Sequence, residues 1–328
     1  MTADTLHDRA RGCLAGLAIG DALGQPTEGK TPAQIRDRWG TITDYVSDDP
    51  VGSDDTEYAV FSAQTLLRHG RGLTFDDVAD AWRTHVASQR GGFKGAGFSE
   101  MLAIRNLREG QGPPACGEHL HSWSDGLAMR VAPFGIVAPG DPDEAARLAE
   151  VDGVVSHAGE GLLGGRAVAA AVAVSMTGAT TAQATAAALA VVPADSWTAR
   201  AVREAVEIGE GAGSVGDALD PLYDALVCHP YPWADLGPEA VGLAFGLLAA
   251  SDGAFEDAVL GGANIGRDTD TIAAIAGAVV GARIGLTGLP PRWVERVQTV
   301  QGLCIRTVAG TDLLALADDL AAFTLSGA

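Results

Sequence analysis

Two short stretches of this chain set acids directly in front of apolar helical runs. In "GRDTDTIAAIAGAVVGARIG", residues 266–285, Asp268 and Asp270 alternate with Thr269 and Thr271. In "VGSDDTEYAVFSAQTLL", Ser53, Asp54, Asp55 and Thr56 precede a stripe that includes Tyr58, Phe61, Thr65 and Leu66. Taken singly, each is an ordinary helix cap, because Ser, Thr and Asp accept from the free N–H groups of a first turn. A cap uses one acceptor, however, and here the carboxylates come in pairs. If the two helix starts meet, four carboxylates and several hydroxyls converge. Without a cation, such a cluster repels itself strongly. Carboxylate and hydroxyl oxygens are hard ligands that suit Mg²⁺, Mn²⁺ or Ca²⁺ better than zinc. Four carboxylates can hold two divalent ions about 3.5–4 Å apart that activate a shared water.

The elements that must position these acids are helical. The chain has 328 residues, and Gly, Pro and Asp clusters separate its Ala-rich runs of helical period. The patterns predict helices over 5–23, 54–69, 75–89, 97–108, 126–137, 142–151, 160–177 and 181–191, then over 196–209, 216–225, 236–250, 254–264, 271–284, 290–301 and 310–324. Strand-like alternation is scarce, so the expectation is an all-α fold in one domain, 1–328. Near the N-terminus, Gly16, Gly20 and Gly24 recur on one helical face, which permits close approach of another backbone; Asp21 lies within this pattern. Glu28 follows on a Gly/Pro-bounded loop.

Lys plus Arg number 22 against 42 Asp plus Glu, a formal net charge of −20. That charge argues against general nucleic-acid binding and against docking on anionic lipid. Four scattered cysteines without a CxxC fit reduced thiols and a cytoplasmic location. The N-terminus carries no targeting signal that we recognise, and no run approaches the ~18 apolar residues of a membrane span.

Together the three stretches resemble the ADP-ribosylglycohydrolase family, which includes dinitrogenase-reductase-activating glycohydrolases and ADP-ribosyl-acceptor hydrolases. Gly16 to Glu28 is similar to the family's "GxxxGDALGxPxE" segment, Ser53 to Thr56 to its "TDDT", and Gly266 to Gly285 to its "GGDTDTxAAxAGAxxGAxxG". The resemblance implies a compact orthogonal multi-helix bundle with a binuclear Mg²⁺ or Mn²⁺ site. Its protein ligands would be Ser53, Asp54, Asp55, Asp268, Asp270 and Thr271. Glu28 stands where the family has its active-site glutamate. "SDGLAMRVAPFGIV" resembles the segment lining the ribose and phosphate side of the cleft, which marks Asp125, Gly126 and Met129. "VSHAGEGLLGG" resembles the segment whose histidine, here His157, approaches the distal part of the ligand. "CHPYPWADLG" falls where family members line the nucleotide pocket, so Tyr231 and Trp233 are candidates to stack on a base.

Three positions depart from the family pattern. Ser53 replaces Thr and keeps a hydroxyl. Asp125 replaces Asn and adds negative charge where a pyrophosphate would lie. Arg267 replaces Gly beside the metal acids; it would either bind a substrate carboxylate or phosphate, or pair with an acid of the site.

The implied chemistry is hydrolysis of an N-glycosidic bond at a ribose anomeric carbon through an oxocarbenium-like transition state. Glu28 or Asp270 would handle the proton or stabilise ring charge. The substrate would be an ADP-ribosylated protein or a small ribosylated compound; the departures at Asp125 and Arg267 favour the small one. A non-catalytic binding protein on the same fold is the remaining alternative. "CGEHLH" has too few soft ligands for a zinc site, "SWSDG" lacks the context of a serine nucleophile, and no P-loop or dinucleotide fingerprint is present. Glu160 has no evident role.

Overall fold

The computed structural model describes residues 1–327. Among them are sixteen α-helices and no β-strand. They are α1 (Ala3–Gly24), α2 (Pro32–Trp39), α3 (Asp54–His69), α4 (Phe75–Ala81), α5 (Phe98–Arg108), α6 (Ala132–Val137), α7 (Pro142–Gly153) and α8 (Glu160–Ser175). After these come α9 (Thr181–Ala190), α10 (Trp197–Gly211), α11 (Val215–Leu226), α12 (Gly237–Ala250), α13 (Phe255–Ile265), α14 (Thr269–Ile284), α15 (Pro291–Val294) and α16 (Leu313–Ser326). The fold is all-α, as expected. No helix among the described residues is long and apolar enough to cross a membrane.

The central pair is α1 against α14, packed backbone to backbone. A Cβ on Gly12 would sit 2.5 Å from the Gly281 carbonyl oxygen, and one on Gly16 would overlap the Gly277 carbonyl. Likewise a Cβ on Gly20 would overlap the Ala273 carbonyl, and one on Gly24 the Thr269 carbonyl. From Gly12 to Gly24 every fourth residue of α1 is therefore glycine because α14 fills the space a side chain would take. The absence of Cβ atoms brings the C-terminal end of α1, with Asp21, to the start of α14. α13 flanks this pair, and α10 packs on α12 through Gly209 and Gly246 in the same close manner.

Three helices differ from the sequence-based expectation. The run 75–89 is interrupted: α4 ends at Ala81 and continues as one π-helical stretch, Trp82–Ala87. The run 126–137 splits into a 3₁₀ turn at Ala128–Arg130 and α6, with Pro133 in the first turn of α6, because proline has no N–H to continue a helix. The run 290–301 stops at Val294; beyond it the backbone pairs instead with the segment before α16, as Val300 N donates to Thr311 O (3.0 Å) and Leu313 N to Gln298 O (2.9 Å). Sequence reading missed α2, although Thr31 and Gln34 form a full capping box there with Pro32 in the first turn.

Glu160 acquires a role. Its Oε1 accepts from Trp197 N (2.8 Å), and its Oε2 from Thr198 N (2.9 Å) and Thr198 Oγ1 (2.8 Å), so it caps α10 from the start of α8. Glu160→Ala should cost about 1–2 kcal/mol in denaturant unfolding, with Glu160→Gln losing less. Equal stability of Glu160→Ala and wild type would remove this role.

Candidate active site

The starts of α3 and α14 meet. Thr271 Oγ1 donates to Asp55 Oδ1 at 3.2 Å. Ser53 and Asp268 hold the N-cap positions of the two helices, yet neither side chain accepts a capping bond. Asp21, from α1, serves α3 instead. Its Oδ2 accepts from Ser53 N (2.7 Å), Thr56 N (3.0 Å) and Thr56 Oγ1 (2.5 Å), and its Oδ1 from Ser53 Oγ (2.7 Å). The first turn of α3 is thus fixed from outside, which leaves Asp54 and Asp55 unused by it. On the other side, Thr27 and Thr269 hydroxyls both donate to Gly24 O at 2.8 Å and tie the end of α1 to α14. The Glu28 loop is held by two backbone bonds, Gly29 N to Arg267 O (2.8 Å) and Arg267 N to Lys30 O (2.9 Å). Glu28, Asp268 and Asp270 each place one oxygen within 4.8 Å of the others.

These groups border a cavity of about 190 Å³. Its inner end carries Asp54, Asp55, Asp268, Asp270 and Thr271, with exposed Glu28 at the rim. Its distal wall carries Glu100, Asp125 and Asp235, with Met129 and the rings of Phe98 and Trp233. Buried oxygens of five of these carboxylates, Asp55 Oδ2, Asp270 Oδ1, Glu100 Oε2, Asp125 Oδ2 and Asp235 Oδ1, have no hydrogen-bond partner. Burial first, then like charges from neighbouring acids, pushes Asp54, Asp55, Asp125 and Asp270 well above the usual carboxylate range. Although Glu28 as a residue is exposed, its carboxyl group is packed among neighbouring atoms, and this desolvation first, then the charges of Asp268 and Asp21, raises it to about 7. Burial raises Glu100 to about 7, although Arg130 pulls the other way.

Comparison with known proteins decides the family. The ADP-ribosylglycohydrolase family model matches residues 2–327. The chain belongs to the ADP-ribosylglycohydrolase family. An uncharacterized protein of Archaeoglobus fulgidus is 32% identical over 88% of this chain and 92% of its own. The ADP-ribosylarginine hydrolase Tri1 of Pseudomonas putida is 28% identical over 90% of this chain and 76% of its own. A solved structure described as an ADP-ribosylglycohydrolase-related protein complex superposes with a TM-score of 0.68, covering 98% of this chain and 99% of that one at 23% identity, which speaks to fold. Membership in an ADP-ribosylglycohydrolase family implies a hydrolase of the glycohydrolase type.

Within this ADP-ribosylglycohydrolase fold, the residues singled out from sequence divide into two groups. Glu28, Asp54, Asp55, Asp268, Asp270 and Thr271 converge on the cavity, as do Asp125, Gly126, Met129 and Trp233. Ser53 does not line it; it borders a neighbouring cavity and donates its hydroxyl to Asp21. Arg267 does not line it either. With φ at +66°, its guanidinium bonds Glu239 Oε1 (2.5 Å) and the Trp233 carbonyl (2.8 Å), so it joins the Glu28 loop to the loop carrying Trp233. Of the two roles open to Arg267 in the sequence, this geometry supplies a pairing, but with Glu239, which does not line the cavity, and not with an acid of the site. His157 is buried behind the distal wall, bonded at Nε2 to Ser124 Oγ (3.0 Å) and at Nδ1 to Ser156 Oγ (2.8 Å). Tyr231 stands outside the cavity, its hydroxyl 3.3 Å from His121 Nδ1 and its ring 5.3 Å from Trp233.

Three acids of the site escaped sequence reading. Asp21 sits inside a glycine pattern that explains itself by packing alone. Glu100 reads as a first-turn acid of α5, and Asp235 as a loop acid. The signal for Asp21 was a lone acid buried in an otherwise apolar stretch of α1, next to Gly20; the other two carry no local signal.

The donor set suits hard divalent cations. It offers only oxygen at its inner end, and Asp55 and Asp270 each keep a buried oxygen that no protein donor satisfies. The metal-free protein should therefore respond to pH. Glu28 and Glu100, with folded values of about 7 against 4.5, and Asp21, at about 6 against 3.8, hold protons that the unfolded chain has released. Where the folded state binds more protons, stability falls as pH rises. Their contribution is full below pH ~4 and is lost towards pH 7. His157, held below its usual value by burial, opposes this below pH ~6.5, but it is one group against several. The melting temperature of chelator-treated protein should drop from pH 5.5 to 7.5, and the gain on adding Mn²⁺ should grow over the same range. A rising or flat metal-free profile would contradict the crowding of these acids.

Proposed function

We propose that this protein is a divalent-cation-dependent hydrolase of N-ribosyl bonds. The observation that carries the reading is the convergence of Asp54 and Asp55 with Asp268 and Asp270, from helices more than 200 residues apart, around partnerless carboxylate oxygens. Asp54, Asp55, Asp268, Asp270 and Thr271 would hold two cations, Mg²⁺ or Mn²⁺, with Ser53 close by. Cations bound there supply Lewis-acid charge that lowers the pKa of a water and orients sugar hydroxyls.

The chain's own groups do the rest. Asp270, buried, holds its charge against the sugar ring as positive charge develops at C1′. Glu28, at the exposed rim, takes the proton of the attacking water and passes it outward. The C1′–N bond breaks, a C1′–O bond forms from water, and the leaving nitrogen takes the bonding pair. Met129 and the Phe98 and Trp233 rings shield the sugar from bulk water. The fixed start of α3, held by Asp21, keeps Asp54 and Asp55 in place through the reaction.

The test is release of reducing sugar from a panel of N-ribosyl compounds, including ADP-ribosyl-arginine and nucleosides, before chelation, after it and after metal add-back. Turnover should vanish on chelation and return with Mg²⁺ or Mn²⁺. Chelation-insensitive turnover, or none on any N-riboside, refutes the reading. Glu28→Gln should lower kcat by about 10²-fold or more while KM changes little; an unchanged kcat would remove Glu28 from proton transfer.

A further inference from the structure

The distal wall of the cavity is built for a cation. Asp125 is 3% exposed, and its Oδ2, lining the cavity, has no partner. Asp235 joins it: Asp125 N donates to Asp235 O at 3.1 Å, and burial first, then the charge of Asp268, raises the pKa of both carboxylates. Glu100 is different, since Arg130 Nη1 lies 3.1 Å from its Oε1 and offsets its charge. Among the described residues no lysine or arginine lines the cavity. Arg267, beside Asp268, is spent on Glu239, and Lys94 lines the neighbouring cavity, not this one.

A phosphate has no obvious place here. The start of α5 faces the cavity through Gly97 and Phe98, and a helix start is a common anion site. In this protein its own acids stand there. Asp235 Oδ2 accepts from Phe98 N at 3.4 Å, and a Cβ on Gly97 would lie 3.2 Å from both Asp235 Oδ2 and Glu100 Oε2. What the wall does offer is two carboxylates without a counter-ion beside two aromatic rings, Phe98 and Trp233, whose centroids are 4.7 Å apart. Carboxylates with aromatic faces are the usual setting for an organic cation.

We propose that the substrate is a phosphate-free riboside bearing an organic cation, which Asp125 and Asp235 receive against the packed edge of the Phe98 and Trp233 rings. This rests on the N-ribosyl hydrolase reading and narrows it. The test is calorimetric titration of the Mn²⁺-loaded full chain with nicotinamide riboside, its 5′-phosphate and uridine, which share a ribose and differ in charge. The cationic riboside should bind at least about tenfold tighter than the other two. Asp125→Asn and Asp235→Asn, which keep side-chain shape, should each weaken it about five- to tenfold and weaken uridine clearly less, with Mn²⁺ still bound by both variants. Equal or tighter binding of the 5′-phosphate or of uridine overturns the proposal. So does unchanged riboside affinity in both variants, or loss of Mn²⁺ affinity in either. Because these are binding measurements, an absence of sugar release beside a clear cation preference would refute the hydrolase reading alone.

Discussion

Asp270→Asn should make the metal-free protein more stable and the metal-loaded protein inert. Asp270 is 3% exposed, its Oδ1 has no partner, and Asp268, Glu28 and Asp55 all press on it electrostatically. Without a cation the folded state must either tolerate that charge or hold a proton on it, and the amide removes both costs. A gain of about 1–3 kcal/mol in chelator-treated protein follows. The amide also removes a charged ligand, so the stabilisation by Mn²⁺ should largely disappear and turnover should fall about 10³-fold or more, some 4 kcal/mol of transition-state stabilisation. Alanine at Asp54 or Asp268 should likewise abolish metal-dependent turnover. Thermal melts with and without Mn²⁺, beside kcat/KM after chelation and add-back, check all of these. A variant with near-wild-type turnover would show that the site is misassigned. A less stable metal-free Asp270→Asn would show that the carboxylate is held by the protein and not strained by it.

The other large effect lies away from the chemistry. Gly20→Ala would drive a methyl group into the Ala273 carbonyl, and Gly16→Ala one into the Gly277 carbonyl. The obstacle is backbone on a buried helix, which cannot turn aside as a side chain can. Each should cost about 3 kcal/mol or more, with activity lost in step as Asp21 is moved off the start of α3. Gly72→Ala, where a Cβ meets nothing within 4 Å, is the control and should stay within about 0.5 kcal/mol of wild type. Denaturant midpoints at constant slope decide the matter; tolerance of both α1 substitutions would mean that α1 and α14 are not locked by contact.

What sequence could disclose follows from how local each signal is. The helix over 54–69 was legible to the residue because an acid-rich first turn and an apolar stripe lie within its own span. The helix expected over 290–301 failed because residues 298 and 300 find partners near residue 312, beyond the reach of any local pattern. The inner acids stood out because they come in pairs, and the resemblance placed them in one site. The distal wall did not, since Glu100 and Asp235 each look ordinary alone and matter only where the fold sets them beside Asp125. Arg267 and His157 show the converse. Both are conspicuous in sequence, and the fold gives the first to Glu239 and the second to two serines.

The lock between α1 and α14 also sets an order of events during synthesis. α1 is made well before α14, and the face that carries Gly12, Gly16, Gly20 and Gly24 has no partner until residues 269–284 have been added. A glycine-rich helix is weak by itself. Contacts across some 250 positions form slowly and leave incomplete chains exposed while they wait. The nascent chain therefore carries the acids of the site apart until α14 has left the ribosome.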